Sequence, residues 1–275
     1  MDMDYKNYTI EELDTGLFAI NDEKSDSMYL IVGTEKALLI DTCMMEDDIL
    51  PMLRTITDKP IELALTHAHI DHMYHSNEFQ TVYLHEKDIH AWLHGVLKFV
   101  YFSGCLMFHL PYKKYNVKHF IPITEESVIS LGGNDIHLIL ATGHTPGSSI
   151  FVDTKHQTLF VGDAVGNGGA SAWMWVPGCS NISEYRESVI ALLNKLKPYE
   201  SYRFLGGHHQ NNLPATEIPV DQTLDIQCVK DMAVLCSKML DHTIEPVKQQ
   251  KQAVYTVWQY AYGSTGIWVT KNRIK

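Results

Sequence analysis

The run IELALT (61–66) is short and apolar in the manner of a buried strand, and it ends on HAHIDH (67–72). His67, His69, Asp71 and His72 therefore fall within six residues. A solvated polar loop, a general acid/base cluster and a metal site each fit such a segment. The metal reading constrains the fold most. Neutral imidazoles and carboxylates must sit on backbone that can converge. In an extended loop the alternating His67, His69 and Asp71 point one way, and His72 faces a second position. Six residues cannot complete two ligand shells, so this reading requires further ligands from the ends of other strands.

Three other segments repeat the arrangement of a buried strand, a glycine and then a ligand-type side chain. ATGHTPGS (141–148) places His144 in a Gly/Pro turn. LFVGDA (159–164) places Asp163 after Gly162, where the backbone can come close. FLGGHH (204–209) places His208 after two glycines, with His209 as the substitute one position on. Singly, each reads as an ordinary surface or hydrogen-bonded residue. Together with HAHIDH they read as a metal centre. The other histidines, His75 and His85 among them, take the ordinary reading.

Along the chain, GLFAI (16–20), SMYLIVG (27–33), KALLIDT (36–42), 61–67 and QTVYLHE (80–86) read as strands. A helix is expected from Met45 to about Thr57, closing before Pro60, and one or two helices over 87–102. Strand pairs follow around GGND and DTKHQ. A helix runs from about Ser183 to Lys195, capped by Asn181 or Ser183. The segment 221–242 reads as helical and 252–270 as a hairpin across GSTG. Without a low-complexity linker, residues 1–275 form one domain, with 212–275 a C-terminal helix and hairpin appendage. ALLIDT and LFVGDA both run a buried strand into an aspartate, which suggests two related halves.

Composition prunes the functions. With 22 Lys+Arg against 33 Asp+Glu the net charge is −11, so a nucleic-acid partner is not expected. The acidic start MDMDYKNYTI has no apolar core of a secretory signal, and cytoplasmic location is the expectation. FVYFSGCLMF (99–108) is apolar but only ten residues long, short of the ~20 a membrane span requires. Five scattered cysteines without C-x-x-C spacing fit buried apolar positions better than disulfides or a thiolate metal site.

H-x-H-x-D-H (67–72), G-H-T-P-G (143–147), G-D (162–163) and G-H (207–208), in this order, resemble the metallo-β-lactamase superfamily over residues 15–210 or so. The resemblance implies an α/β fold, a four-layer αβ/βα sandwich of two mixed β-sheets flanked by helices. It implies that His67, His69 and His144 bind one metal, that Asp71, His72 and His208 bind a second, and that Asp163 bridges them. Asp41 matches a supporting aspartate behind the site. Two Zn2+ suit these imidazole and carboxylate ligands, with iron or manganese as alternatives. The implied chemistry is hydrolysis by a metal-bridging hydroxide, with Asp71 as the catalytic proton shuttle.

Asp163 and ATGHTPGS resemble the glyoxalase II-like branch, so a small ester, thioester or lactone is the expected substrate. Lactonase relatives carry a tyrosine where this chain has Gly166. A mononuclear iron persulfide-dioxygenase-like oxidoreductase and a phosphodiesterase are the alternatives. The aromatic segments 89–115 and 167–178 both leave the ligand side. Phe99, Phe102, Trp173 and Trp175 are therefore candidates for the wall of an apolar substrate pocket. The same segments also fit core packing or a contact between copies in a homo-oligomer.

Overall fold

A computed structural model of the chain describes residues 3–167, 171–209 and 224–275. The first half begins with β1 (Met3–Tyr5), β2 (Tyr8–Asp14), β3 (Leu17–Asp22), β4 (Ser27–Val32) and β5 (Ala37–Ile40). It continues with α1 (Leu50–Leu53), β6 (Ile61–Ala64), α2 (Ile70–Met73), β7 (Val82–His85), α3 (Glu86–Leu93), α4 (Val96–Met107) and β8 (Ile121–Ile123). The eight strands form one sheet in chain order. Pairing is antiparallel from β1 to β5 and parallel from β5 to β8.

The second half contains β9 (Val128–Ser130), β10 (Asp135–Leu140), β11 (Ser149–Asp153), β12 (Thr158–Gly162), β13 (Ala172–Trp173), α5 (Ile182–Leu196) and β14 (Arg203–Gly206). These strands, apart from β13, make a second sheet in the order β14-β12-β11-β10-β9. Leu38, Ile40 and Ala64 of the first sheet meet Phe151, Phe160 and Leu205 of the second in one buried cluster. A second cluster joins the outer face of the first sheet to Met52, Trp92, Leu97 and Tyr101. A third joins the second sheet to α5 and to α6 (Ile226–Leu240). The layers are thus helices, sheet, sheet, helices. Strands buried on both faces need uniformly apolar residues, and ALLI in β5 and TLFVG in β12 are buried throughout.

After α6 come β15 (Lys248–Gln252), β16 (Tyr255–Tyr262) and β17 (Thr265–Val269), with β16 and β17 paired across the expected GSTG turn. They form a third sheet, completed by β13, which pairs in parallel with β17. Sequence reasoning did not foresee this sheet, because β13 is two residues long and its partner lies almost a hundred residues away. Residues of α6 and β17 share the third buried cluster with β11 and β12. Residues 168–170 of the expected aromatic loop, and the start of the 221–242 helix, lie outside the described residues.

One helix expectation is adjusted. The helix expected over Met45–Thr57 is only the single turn of α1, with Pro51 in its first turn. Proline lacks an N–H and clashes with the preceding turn, so it is tolerated only at a helix start. By contrast α5 matches its expected span, and Asn181 is its cap. The Asn181 side chain accepts from Glu184 N while Glu184 Oε2 accepts from Asn181 N, an arrangement worth about 1 kcal/mol. All five cysteines are buried and free. No helix among the described residues is long and apolar enough to cross a membrane.

Candidate metal centre

Five strands of the two sheets end at one edge of the sandwich, and a titratable residue follows each. Asp41 follows β5, His67 follows β6, His144 follows β10, Asp163 follows β12 and His208 follows β14. Hydrogen-bonded strands bring these ends together although they lie far apart in sequence. Two groups result. His67, His69 and His144 offer ligand atoms within 4.8 Å of one another, and so do Asp71, His72, Asp163 and His208. All seven residues expected from the sequence are therefore brought together. His209 stands in neither group; its backbone N–H donates to Ser25 O at 2.7 Å.

Asp163 lies between the groups. Its Oδ2 is 3.3 Å from His208 Nε2 and 3.6 Å from His144 Nε2, and its Oδ1 is 3.6 Å from His72 Nε2. Asp71 Oδ2 is 3.6 Å from His72 Nε2 and 3.8 Å from His208 Nε2. Helix α2 explains how so short a motif serves both groups. His69 caps it in extended conformation, while Asp71 and His72 lie inside it, so the backbone changes direction between the two sets of ligands although the His72 ring stays 4.0 Å from that of His67.

Outer partners orient the rings. His72 Nδ1–H donates to Asp41 Oδ2 at 2.8 Å, His144 Nδ1–H to the Trp173 carbonyl at 2.9 Å, and His208 Nδ1 meets Asp26 Oδ1 at 3.1 Å. Thr66 Oγ1 donates to Asp41 Oδ2 at 2.8 Å and stands 3.1 Å from His67 Nδ1. In these four histidines Nδ1 is thus committed outward, which leaves Nε2 as the inward lone pair. His69 differs, its Nδ1 lying 2.9 Å from His144 Nε2. Asp41 thus supports the site from behind, and Thr66 N also donates to its Oδ1 at 2.8 Å.

Two supporting carboxylates were not anticipated. Asp26, in a segment that reads as a turn, is buried, and burial pushes its carboxyl up to about 7 against the opposing pull of His208. Asp88, in the first turn of α3, is fully buried. It accepts from Ala68 N (3.0 Å), Thr145 Oγ1 (2.9 Å) and Gly147 N (2.6 Å). It thereby ties the His67–His69 loop to the His144 turn. Burial raises its carboxyl to about 6, partly offset by those donors. Neither residue belongs to a motif, and acidic residues in a turn or a first helical turn are ordinary.

The donor set fits metal cations. Among the described residues His67 Nε2, His69 Nε2, His72 Nε2 and Asp163 Oδ1 are buried without a hydrogen-bond partner, and such orphaned polar atoms are rare in native interiors. Burial lowers His67, His69 (to about 3) and His144, so these imidazoles are neutral and available to a cation. Burial would also lower His72 and His208, but the surrounding carboxylates overcome it and raise both well above their ordinary value. Burial likewise opposes ionisation of Asp71 and Asp163, and the same two rings hold both carboxyls low. This second group favours positive charge, supplied by protons on the rings or by a cation. Only glycine fits at 207, where an added Cβ would stand 2.5 Å from both Asp163 Oδ1 and His72 Cε1.

A third cluster, Asp48, His75 and Glu78, has a structural use. His75 Nδ1 meets Glu78 Oε1 at 2.6 Å and His75 Nε2 meets Met45 O at 2.8 Å. Glu78 in turn accepts from Ile49 N and Leu50 N at the start of α1.

Above the two main groups lies a cavity of about 660 Å³. His69, Asp71, His144, Asp163 and His208 are in its lining, and so are Phe99, Trp173 and Trp175. The Trp173 and Trp175 rings stack 5.5 Å apart. Phe102 departs from expectation. It is absent from the cavity lining and lies with its ring 5.9 Å from Tyr112 on the outer side of α4. At 3.6 residues per turn, positions 99 and 102 straddle the helix edge.

Comparison with known proteins accords with this geometry. Residues 22–208 match the family model of the metallo-beta-lactamase superfamily. An acyl-coenzyme A thioesterase MBLAC2 of Gallus gallus is 26% identical over 220 residues, covering 71% of this chain and 78% of that protein. Its Homo sapiens counterpart is 23% identical over 205 residues, covering 65% and 72%. A solved metallo-beta-lactamase from Pontibacter korlensis superposes with a TM-score of 0.59 at 13% identity, covering 84% of this chain and 99% of that one.

Proposed function

Because the chain belongs to the metallo-beta-lactamase superfamily, we propose that it is a metal-dependent hydrolase of acyl thioesters, with coenzyme A thioesters as the substrate class. The observation that carries this reading is the pair of adjoining ligand groups set in the wall of a largely apolar cavity. The similarity to acyl-coenzyme A thioesterases supports the thioester over an oxygen ester or lactone.

In this reading His67, His69 and His144 would hold one divalent cation, Asp71, His72 and His208 would hold a second, and Asp163 would serve both. Zinc is the cation best suited to imidazole and carboxylate without thiolate. Bound cations supply an activated water and polarise the thioester carbonyl. The remaining work falls to the chain. Trp173, Trp175 and Phe99 bind the acyl group and exclude water from it. Asp71, on the cavity surface, takes the proton released by the attacking water and delivers it to the departing thiolate sulfur. Asp41, Asp26 and Asp88 hold the ligands in place.

The test is thiol release from acyl-CoA substrates of graded chain length by the zinc-loaded protein, with metal content measured alongside. About two metals per chain and thiol release support the proposal. Iron as the bound metal with oxygen uptake on a persulfide, or turnover of a phosphodiester alone, would replace it.

A further inference from the structure

The charge of this chain is unevenly distributed. Residues 89–124 contain four lysines and no acid, and residues 246–275 contain four lysines, one arginine and no acid. These two segments carry +9, so the rest of a chain of net charge −11 carries −20. Both segments reach the mouth of the cavity. From the first, Phe99, Val100 and Met107 of α4 line it. From the second, Ala253, Val254 and Tyr255 at the β15–β16 turn line it.

Exposed apolar side chains continue from this mouth onto the outer side of α4. On α4, Phe99 is 59% and Leu106 63% exposed, and Val96, Phe102 and Met107 are exposed as well. Leu93, at the end of α3, is 52% exposed. Val254, at the tip of the β15–β16 turn, is 90% exposed. The opposite side of α4 is anchored, with Leu97, Tyr101, Gly104 and Cys105 buried. One fixed helix therefore presents its apolar face outward beside an apolar turn tip. Lys98 lies on the helix and Lys251 two residues before Ala253 on the turn. Single exposed apolar residues are ordinary, but several on one helix face at a cavity mouth, on segments that carry lysines and no acid, mark an interaction surface.

We propose that this rim is a lipid-docking face, and that the protein sits with the cavity mouth against the surface of an anionic phospholipid bilayer. Charge selects this occupant. Apolar side chains at the mouth enter the headgroup–acyl boundary while lysines beside them meet anionic headgroups, and both are needed because either is weak alone. The acid-rich remainder of the molecule faces water. Such contact is peripheral and requires no membrane-crossing helix. Docking would open the cavity onto the phase where apolar acyl compounds collect. The inference goes beyond the hydrolase reading and does not depend on it.

The test is sedimentation of the whole protein with phosphatidylcholine vesicles, with and without about 30 mol% phosphatidylserine. Hydrolysis of a short, soluble thioester is measured separately, so that failure of docking and failure of the hydrolase reading are distinguishable. Expected is binding to the anionic vesicles at least about tenfold stronger than to neutral ones, weakening as salt is added. The pair Leu93→Glu with Leu106→Glu, and independently Lys98→Glu with Lys251→Glu, should each lower binding by about tenfold or more and leave soluble hydrolysis unchanged. Absence of vesicle binding, or binding indifferent to both pairs, overturns the proposal. So does a stable dimer that Leu106→Glu converts to monomer without any vesicle binding, since the patch is then an interface between copies.

Discussion

Asp41 Oδ2 accepts the Nδ1–H of His72 at 2.8 Å across 31 positions of sequence, and through Thr66 Oγ1 the same carboxylate reaches the Nδ1 side of His67. One buried side chain thus sets the ring orientation of a histidine in each metal group. It does so from a backbone at φ +60°, a region that aspartate and asparagine enter more readily than most residues.

Asp41→Asn keeps that backbone but replaces an acceptor oxygen with a donor facing His72 or Thr66. Metal affinity should fall by about 10- to 100-fold, the usual cost of losing such an outer partner. Competition titration against a chromophoric chelator measures it. An unchanged affinity would contradict the role assigned to Asp41.

Gly207→Ala should be more damaging than its size suggests. The new methyl would stand 2.5 Å from Asp163 Oδ1 and His72 Cε1, a separation at which something must shift. Occupancy of the second group should drop by about tenfold or more while the circular dichroism spectrum stays native, since only the ligand geometry is disturbed. Metal content after dialysis is the readout.

Asp88 gives a pH dependence of definite sign. Its carboxyl rises from 3.8 to about 6 on burial. Between those values the native state holds a proton that the unfolded chain has released, so stability through this group is complete below pH ~4 and declines as pH rises through ~6. Asp88→Asn lacks that decline. In metal-free protein, the stability of the variant relative to the parent should rise by up to about 3 kcal/mol from pH ~4 to ~7. Urea denaturation across that range checks it. The same variant should bind metal more weakly, because one of the two loops loses its acceptor.

Removing metal should lower the melting temperature by several degrees and restoring it should recover the loss. His67, His69 and His72 Nε2 and Asp163 Oδ1 have no hydrogen-bond partner among the described residues, and each buried unsatisfied polar group costs about 1–3 kcal/mol. A cation that binds only the native state relieves this cost. His144→Ala should reduce the gain. Differential scanning fluorimetry with and without chelator decides the point.

Trp175→Ala should discriminate by chain length. Its ring is buried in the cavity wall against Trp173. With about 0.8 kcal/mol per buried methylene at stake, KM for long acyl chains should rise by about tenfold or more while short-chain kcat changes little. Equal effects at all lengths would place the acyl group elsewhere.

Much of the metal centre was legible in the sequence because its residues sit in short contiguous motifs. HAHIDH and the Gly-His, Gly-Asp and Gly-His steps each follow an apolar run whose strand character is visible. Of the supporting carboxylates, Asp41 was legible and two others were not. Asp26 touches His208 and Asp88 joins the His67 and His144 loops, yet each stands in a stretch whose local pattern fits a turn or a first helical turn as well. Phe102 was misplaced beside Phe99 because composition marks a helix as apolar without saying where the boundary between its cavity side and its outer side falls.

The sequence by itself determined the alternation of strands and helices, the seven ligand-type side chains and their order, since these depend on neighbouring residues and local backbone geometry. Only the tertiary structure decided which strand ends adjoin, which ring nitrogen faces inward, and which aspartates stand behind the histidines. Those are relations between segments as much as 182 residues apart, such as Asp26 and His208. They are fixed by sheet pairing and by the requirement that buried polar atoms find partners, and local sequence does not encode them.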